Sequence, residues 1–398
     1  MTRMKAGEVL KGMRVLDFTR VLAGPYATRI LADFGAEVIK VQTQRTPEGA
    51  EVNRGAYFRT WNRNKRGITL DMRHPEAAGI LMRLVGACDI LIENFSPRVM
   101  ANWGLTYDRL TEVRPDLIML SSSGMGQTGP WKDYVAYAPT VHALGGLTHL
   151  TSYREGPPVG PGFSYGDVMA GLYGAFAVLA ALEHRENTGK GQYIDLSEYE
   201  VVCSLIGPAL MEAAARESGA APGGNCPDDE PAAPCGCYRC KGRDQWCVLS
   251  VHDECEWKAL CRVIGPALAH DDRFSSPAKR KAHGQELDAL IDAWTQGRSA
   301  QEAAQVLQEA GVPSGPVQNA KEVAEDPQHE ARAFFVETTH PQEGPLFSDR
   351  TPLWQDQDVV PLWKAAPLMG EDNFYVYREL LGMSEEEYLA YVKAGVIG

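Results

Sequence analysis

"MRVLDFTRVLAGPYATRILADFGAEVIKVQ", residues 13–42, decides the fold. "MRVLDF" is a short apolar run of strand character, "GPYATRILADFG" has helical spacing and "AEVIKVQ" is a second strand. Two strands joined through a helix form a βαβ unit, whose crossover makes the pair parallel. The pattern recurs with "PEAAGILMRLVGA" as helix, "CDILIENF" as strand, "YDRLTEVRP" as helix and "DLIMLSSSG" as strand. The expected fold is therefore α/β, an open parallel sheet with helices on both faces. Such sheets bind ligands at the carboxyl ends of their strands. The segments to follow are "TRVLAGP", "ENFSPR" and "SSSGMGQTGP".

None of these is a nicotinamide fingerprint. The first strand is followed by "TRVLAGPYA" in place of G-x-G-x-x-G, and the second ends in Val41-Gln42-Thr43 without an acidic residue for a ribose hydroxyl. A Walker A loop is also missing, which disfavours dehydrogenases and ATPases.

The chain of 398 residues is long enough for two domains, and its net charge of -13 argues against a nucleic-acid or anionic-membrane surface. A local basic pocket for a phosphorylated ligand stays compatible with that balance. The longest apolar run, 168–182, is rich in Gly and Ala and is expected to be too short to span a bilayer. "MTRMKAGEVLKGMRVLDF" has no long apolar core of a signal peptide, so a cytoplasmic location is expected.

Texture changes beyond residue 205. Residues 217–236, "ESGAAPGGNCPDDEPAAPCG", read as an extended linker. A smaller α+β unit follows and ends near residue 320. The expected division is a large domain over 1–205, a linker over 206–236, a small domain over 237–320, and a second linker plus a C-terminal part over 321–398. That last part holds the strand-like "FFVETTH" and a helix starting at Ser384, with Glu387 at capping-box spacing.

Seven of the nine cysteines lie between Cys226 and Cys261. Their odd total and the lack of a secretory signal disfavour a disulfide framework. "CGCYRC" has no second ligand pair after it, so no metal site is expected. The thiols read instead as small apolar residues.

One acidic residue stands out. Asp167 precedes fifteen uncharged residues in "GFSYGDVMAGLYGAFAVLAAL" (162–182), where Val168, Leu172, Ala175, Phe176, Leu179 and Leu182 fall at helical spacing. Gly189 is positioned to end that helix. Asp is a favoured N-cap, so this residue reads as a cap, as chemistry, or as both.

Seven phrases, in order, resemble the class III coenzyme A transferases, the CaiB/BaiF family. They are "LKGMRVLDFTRVLAGPYATRILADFGAEVIKV", "WNRNKRGITLDMRHPEA", "CDILIENFSPRVM", "SGMGQTGP", "GDVMAGLYGAFAVLAALEHRENTGKGQYIDLS", "AGVPSGPV" and "ELLGMSEEEYLAYVKAGVI". They run from about residue 10 to the C-terminus. The resemblance implies a Rossmann-like, CoA-binding large domain built from both chain ends, a small domain, and an interlocked homodimer. It implies that Asp167 is the nucleophile, and that Arg20, Val21, Leu22, Ala23, Lys65, Asn94, Phe95 and Tyr137 contact CoA. Arg63, Lys65 and Arg66 would supply the positive charge for the nucleotide phosphates.

The implied reaction moves CoA from an acyl-CoA donor, with succinyl-CoA a candidate, to a free organic acid. A carboxylate attacks the thioester to give a mixed anhydride and CoA thiolate, which then forms an aspartyl-CoA thioester; the acceptor acid reverses the sequence. CoA thioester is substrate here, and no metal or redox cofactor is needed. Expected partners are the acyl-CoA and acid substrates and a second copy, or a homologous second subunit, with neither nucleic acid nor membrane involved. Departures bear on substrate. Formyl-CoA transferases carry Gln where this chain has Leu22 and Arg where it has Asn102, and their glycine-rich oxalate loop has no clear counterpart. The racemase branch carries a catalytic His where Tyr137 stands, and His142 reads as a helix-face residue. A racemase and a non-catalytic subunit of a heteromeric transferase are the alternatives.

Overall fold

The computed structural model describes residues 7–43, 49–215, 222, 224–225, 231–355, 358–359 and 364–398. They divide into two compact units, one of 1–148, 160–217 and 330–398, the other of 149–159 and 218–329.

The first unit opens with β1 (Arg14–Asp17), α1 (Ala23–Asp33), β2 (Glu37–Gln42), α2 (Ala56–Asn62), β3 (Lys65–Thr69), α3 (Ala77–Gly86), β4 (Ile90–Glu93) and β5 (Ile118–Ser123). It continues through α4 (Ala138–Leu144), α5 (Tyr165–Thr188), β6 (Gln192–Ser197) and α6 (Glu198–Leu205). The strands form one sheet in the order β3-β2-β1-β4-β5-β6, and every neighbouring pair is parallel. Successive side chains on a strand point to opposite faces, so β1 feeds two cores. Leu16 joins Ile39, Ile68, Leu91 and α3 on one face; Val15 joins Val38, Ile90, Ile118, α1 and α5 on the other. The order reverses between β1 and β4, which opens a crevice at their carboxyl ends.

β3 was not expected. Its first residue, Lys65, is fully buried and donates from Nζ to Asp17 Oδ2 (3.0 Å), Thr28 Oγ1 (2.7 Å), Asn62 Oδ1 (2.8 Å) and the Pro25 carbonyl (3.1 Å). Asp17, also fully buried, accepts from Thr19 N–H (2.8 Å), Thr19 Oγ1 (2.6 Å) and Thr28 Oγ1 (2.8 Å). Burial alone would raise the Asp17 carboxyl, but Lys65 and Lys40 outweigh it and hold the group ionised.

Helix α5 departs from expectation in three ways. Its N-cap position is Ser164, and Asp167 is the third helical residue rather than the cap. Its buried face is the small one, with Gly166, Ala170, Gly171, Gly174, Ala175, Val178 and Ala181, whereas Leu172, Phe176 and Leu179 are exposed. Half of the stripe read from the sequence, Leu172, Phe176 and Leu179, therefore points outward, while Ala175 is buried and Leu182 packs on the core. The reason is close packing: a Cβ on Gly171 would lie 2.8 Å from the Ala23 carbonyl oxygen, and one on Gly174 would lie 3.1 Å from Leu120. Third, at 24 residues α5 is long and apolar enough to cross a membrane by length and composition, contrary to the estimate from its uncharged run. Here its glycine face lies on α1. Gly189 ends it at φ 71°, as expected.

The second unit holds an antiparallel sheet of β7 (Cys235–Arg239), β8 (Trp246–Ser250) and β9 (Ser314–Pro316), with helices α7 (Glu254–Ile264), α8 (Gly284–Thr295) and α9 (Ala300–Glu309). Cys240, Cys247 and Cys261 lie in its core beside Trp257, Leu260 and Ile291, as small apolar residues. Burial pushes the Cys247 thiol up to about 12 and that of Cys261 to about 11, which leaves them unreactive. The eight described cysteines are free thiols; Cys226 falls outside the described residues.

The chain returns to the first unit with the hairpin β10 (Phe335–His340) and β11 (Gly344–Asp349), and closes with α10 (Glu385–Ala394), where Ser384 Oγ accepts from Glu387 N–H at 3.1 Å. All six sheet strands come from residues 14–197, and the C-terminal segment joins them by covering β3. Asp372 accepts from Gly67 N–H (2.8 Å), Asn373 accepts from Thr69 N–H (2.9 Å), and Tyr377 Oη donates to the Thr69 carbonyl (2.8 Å). The division differs in detail from the sequence estimate, since 207–215 form a helix of the first unit, 149–159 belong to the second, and the first resumes at 330.

Removing one member of the Asp17–Lys65 pair strands the other as a buried charge. Lys65→Met and Asp17→Asn should each cost about 3–5 kcal/mol, read from urea unfolding, and the double replacement should recover part of that loss. Single variants as stable as wild type would contradict this.

Candidate active site

The candidate site is assembled at the carboxyl edge of the sheet. After β1 the backbone turns at Val21, a non-glycine residue at φ 66°, whose N–H donates to Glu51 Oε1 (3.0 Å). After β4, Asn94 clamps this loop from both sides. Its Oδ1 accepts from Arg20 N–H at 2.6 Å, and its Nδ2 donates to the Arg20 carbonyl at 2.8 Å. Gly24 lets the loop close, because a Cβ there would lie 2.4 Å from Thr19 Cβ. Beside it opens a pocket of about 240 Å³, lined among others by Arg20, Thr43, Arg73, Phe95 and Trp103. Phe95 meets Trp103 edge-on at 5.4 Å, giving the pocket an aromatic wall.

The sequence-expected residues divide accordingly. Arg20, Val21, Asn94 and Phe95 come together at this crevice. Leu22 and Ala23 are buried beneath it and offer only backbone. Tyr137 is exposed at the start of α4 and lines no part of the pocket. The expected cationic trio is corrected by the structure. Lys65 is consumed by Asp17. Arg63 is buried and bidentate to Asp33, at 3.1 and 2.6 Å, with Asp349 at 2.9 Å. Arg66 pairs with Glu37 (2.8 Å) and Asp372 (3.0 Å) and stacks on Tyr375. These are structural ion pairs. Among the described residues the pocket cations without a carboxylate partner are Arg20 and Arg73; Arg73 is not among the sequence-expected residues, although it lies within the phrase "WNRNKRGITLDMRHPEA".

Asp167 lies in the first turn of α5. Its Oδ2 is buried and has no hydrogen-bond partner among the described residues. Burial pushes its carboxyl up to about 6, only partly offset by a backbone hydrogen bond. The turn is fixed from behind by His142, whose Nε2 accepts from Gly166 N–H at 2.8 Å and is therefore unprotonated. Burial lowers the His142 pKa in the same sense. Tyr57 and Glu198 sense the Asp167 charge, and each is raised first by its own burial and then by that charge. A half-hidden carboxylate that ionises near neutrality, with one oxygen left without a donor, has the chemistry a nucleophile or a base requires.

Fold and site together give an α/β protein with a crevice lined by two arginines and an aromatic wall, and a desolvated carboxylate in the first turn of α5. The chain belongs to CoA-transferase family III, whose profile matches residues 10–373, and it is an enzyme of that class. It is 33% identical to the succinyl-CoA–D-citramalate CoA-transferase of Chloroflexus aurantiacus, over 97% of this chain and 98% of that protein. It is 32% identical to a formyl-CoA:oxalate CoA-transferase of Rhodopseudomonas palustris, over 95% of each. A probable CoA-transferase of Mycobacterium tuberculosis is 34% identical over 96% of this chain, which spans 49% of that relative's length. Among solved structures, a CaiB/BaiF family protein from Brucella suis superposes with a TM-score of 0.85 at 30% identity, covering 94% of this chain and 100% of that one.

Because the Asp167 carboxyl is raised from 3.8 to about 6, the folded state keeps its proton over a range where the unfolded state has lost it. Stability attributable to this group is thus lost as pH rises through that window and stays lost above it. Asp167→Asn should therefore be more stable than wild type above the window, with the difference vanishing on its acid side, as read from thermal melts across pH. A variant less stable than wild type on the alkaline side would contradict this.

Proposed function

We propose that this enzyme transfers CoA from an acyl-CoA donor to a free carboxylic acid through a covalent intermediate on Asp167. The observation that carries the reading is the buried, unpartnered Oδ2 of that residue at the carboxyl edge of the sheet. An ionised carboxylate there has little solvation to shed before it attacks a thioester carbon. Attack forms a C–O bond and expels CoA thiolate, leaving a mixed anhydride. The thiolate returns to the Asp167 carbonyl and releases the donor acid, giving aspartyl-CoA. The acceptor acid attacks in turn and leaves as its CoA ester. These steps use only the carboxylate and CoA, without a metal or redox cofactor.

The nucleotide end of CoA fits the pocket of Arg20, Arg73, Phe95 and Trp103, where guanidinium groups suit phosphates and aromatic rings suit a purine. Val21, Leu22 and Ala23 would meet the pantetheine arm through their backbone. Succinyl-CoA is a candidate donor, as in the name of the D-citramalate transferase relative. Formate and oxalate are disfavoured by Leu22 and Asn102, despite the formyl-CoA:oxalate relatives. Racemisation is disfavoured because the imidazole of His142 is engaged by Gly166. A homodimer of interlocked chains accords with the exposed apolar face of Leu172, Phe176 and Leu179 on α5.

The test is a panel of acyl-CoAs, including succinyl-CoA and formyl-CoA, against free acids, with new thioesters identified by mass. Wild type should form a new CoA ester, and Asp167→Asn should remain folded while transfer falls by at least about 10³-fold. Near-normal transfer by that variant would overturn the reading.

A further inference from the structure

Asp167 is accompanied by a second hidden carboxyl. Glu198 opens α6 directly behind Ser197, the last residue of β6, and is 9% exposed. Its direction is fixed by packing. Val202, one turn further and on the same face of α6, presses on the first turn of α5, so that a Cβ on Gly166 would lie 2.9 Å from Val202 Cγ2. Glu198 accordingly faces the start of α5 beside Asp167. Among the described residues its carboxyl accepts no hydrogen bond and pairs with no cation; the nearby Ser197 Oγ accepts from Glu200 N–H at 3.3 Å.

The titratable groups on the elements packed against it are few. Helix α5 contributes Tyr165, Asp167 and Tyr173, α4 contributes His142, and α6 itself carries Tyr199, Glu200 and Cys203. His142 is neutral, since it accepts from Gly166, and Glu200 is exposed. The N-terminus of α6 favours an anion at Glu198. Burial, then the Asp167 charge, act more strongly in the other sense and push its carboxyl up to about 8. A buried carboxylate without donors or a counter-ion is far costlier than the neutral acid, so the proton stays.

We propose that Glu198 serves the transfer reaction as a neutral carboxylic acid that donates a hydrogen bond to the thioester carbonyl oxygen, an inference that rests on Asp167 being the nucleophile. When an Asp167 oxygen bonds to the thioester carbonyl carbon, the C=O π pair moves onto the carbonyl oxygen. Glu198 O–H donates to the resulting oxyanion and keeps its proton; the pair then returns, the C–S bond breaks and thiolate leaves. A carboxylic acid kept neutral by its surroundings is a stronger donor than an amide and needs no backbone loop to supply it.

Three measurements test this. In the free enzyme at neutral pH, the infrared difference between wild type and Glu198→Gln should contain a carboxylic-acid carbonyl band, lost as pH rises past about 8. With succinyl-CoA, or the thioester of the panel that is turned over, Glu198→Gln keeps a neutral but weaker donor, so it should lower kcat by clearly less than Glu198→Leu does while losing the alkaline decline of wild type. Glu198→Leu removes the donor and should lower kcat by about 10²-fold, with KM changed by less than about threefold. Absence of the band, persistence of the alkaline decline in Glu198→Gln, or an unchanged kcat in Glu198→Leu each overturns the proposal. Transfer by Asp167→Asn would overturn the nucleophile reading instead, and the infrared band is independent of that result.

Discussion

The ion pair between Asp17 and Lys65 fixes the frame on which the ligand crevice is built. Both groups are fully buried, and each would be costly alone. Together with Thr19, Thr28 and Asn62 they tie the end of β1 to β3, α1 and α2. Lys40 extends the tie, donating to the Thr19 carbonyl at 2.6 Å and facing Glu51 at 3.7 Å, while Glu51 receives the N–H of Val21. The loop that lines the crevice is thus held by buried charges beneath it and by Asn94 after β4. Paired charges deep in the sheet hold the crevice's loop, and the exposed Arg20 and Arg73 leave positive charge at its mouth.

At the other part of the sheet edge the electrostatic logic is reversed. Around Asp167 burial proceeds without countercharge, and both acidic groups are raised. The two differ in degree. Asp167 titrates low enough to ionise near neutrality, whereas Glu198, more deeply placed and facing that charge, holds its proton to higher pH. Two carboxyls with separated pKa values suit two roles, nucleophile and donor. His142 and Gly166 set the position of the first by fixing the turn that carries it.

Much of this was legible in the sequence. β1, β2, β4 and β5 are apolar runs between turns, and the acidic residue before an uncharged helix drew notice by itself. β3 was missed because it begins Lys-Arg-Gly, which reads as a charged loop until the partner of Lys65 is known, and Asp17 lies 48 residues away. Arg63 reads as a phosphate ligand for the same reason, since Asp33, its partner, is 30 residues distant. β6 was missed as a half-exposed edge strand with a polar pattern. On α5 periodicity identifies the helix but puts Leu172, Phe176 and Leu179 on the wrong face. Gly and Ala carry little hydrophobic signal, yet they form the buried side because α1 approaches too closely for anything larger.

The account turns on a covalent bond to Asp167, and trapping it is the most direct measurement. Hydroxylamine added while the enzyme turns over an acyl-CoA should intercept the anhydride or thioester and leave a hydroxamate on that side chain, located by peptide mass analysis. The account predicts the adduct on the peptide containing Asp167, dependent on acyl-CoA. An adduct on another residue, or uninterrupted transfer with no adduct, would contradict it.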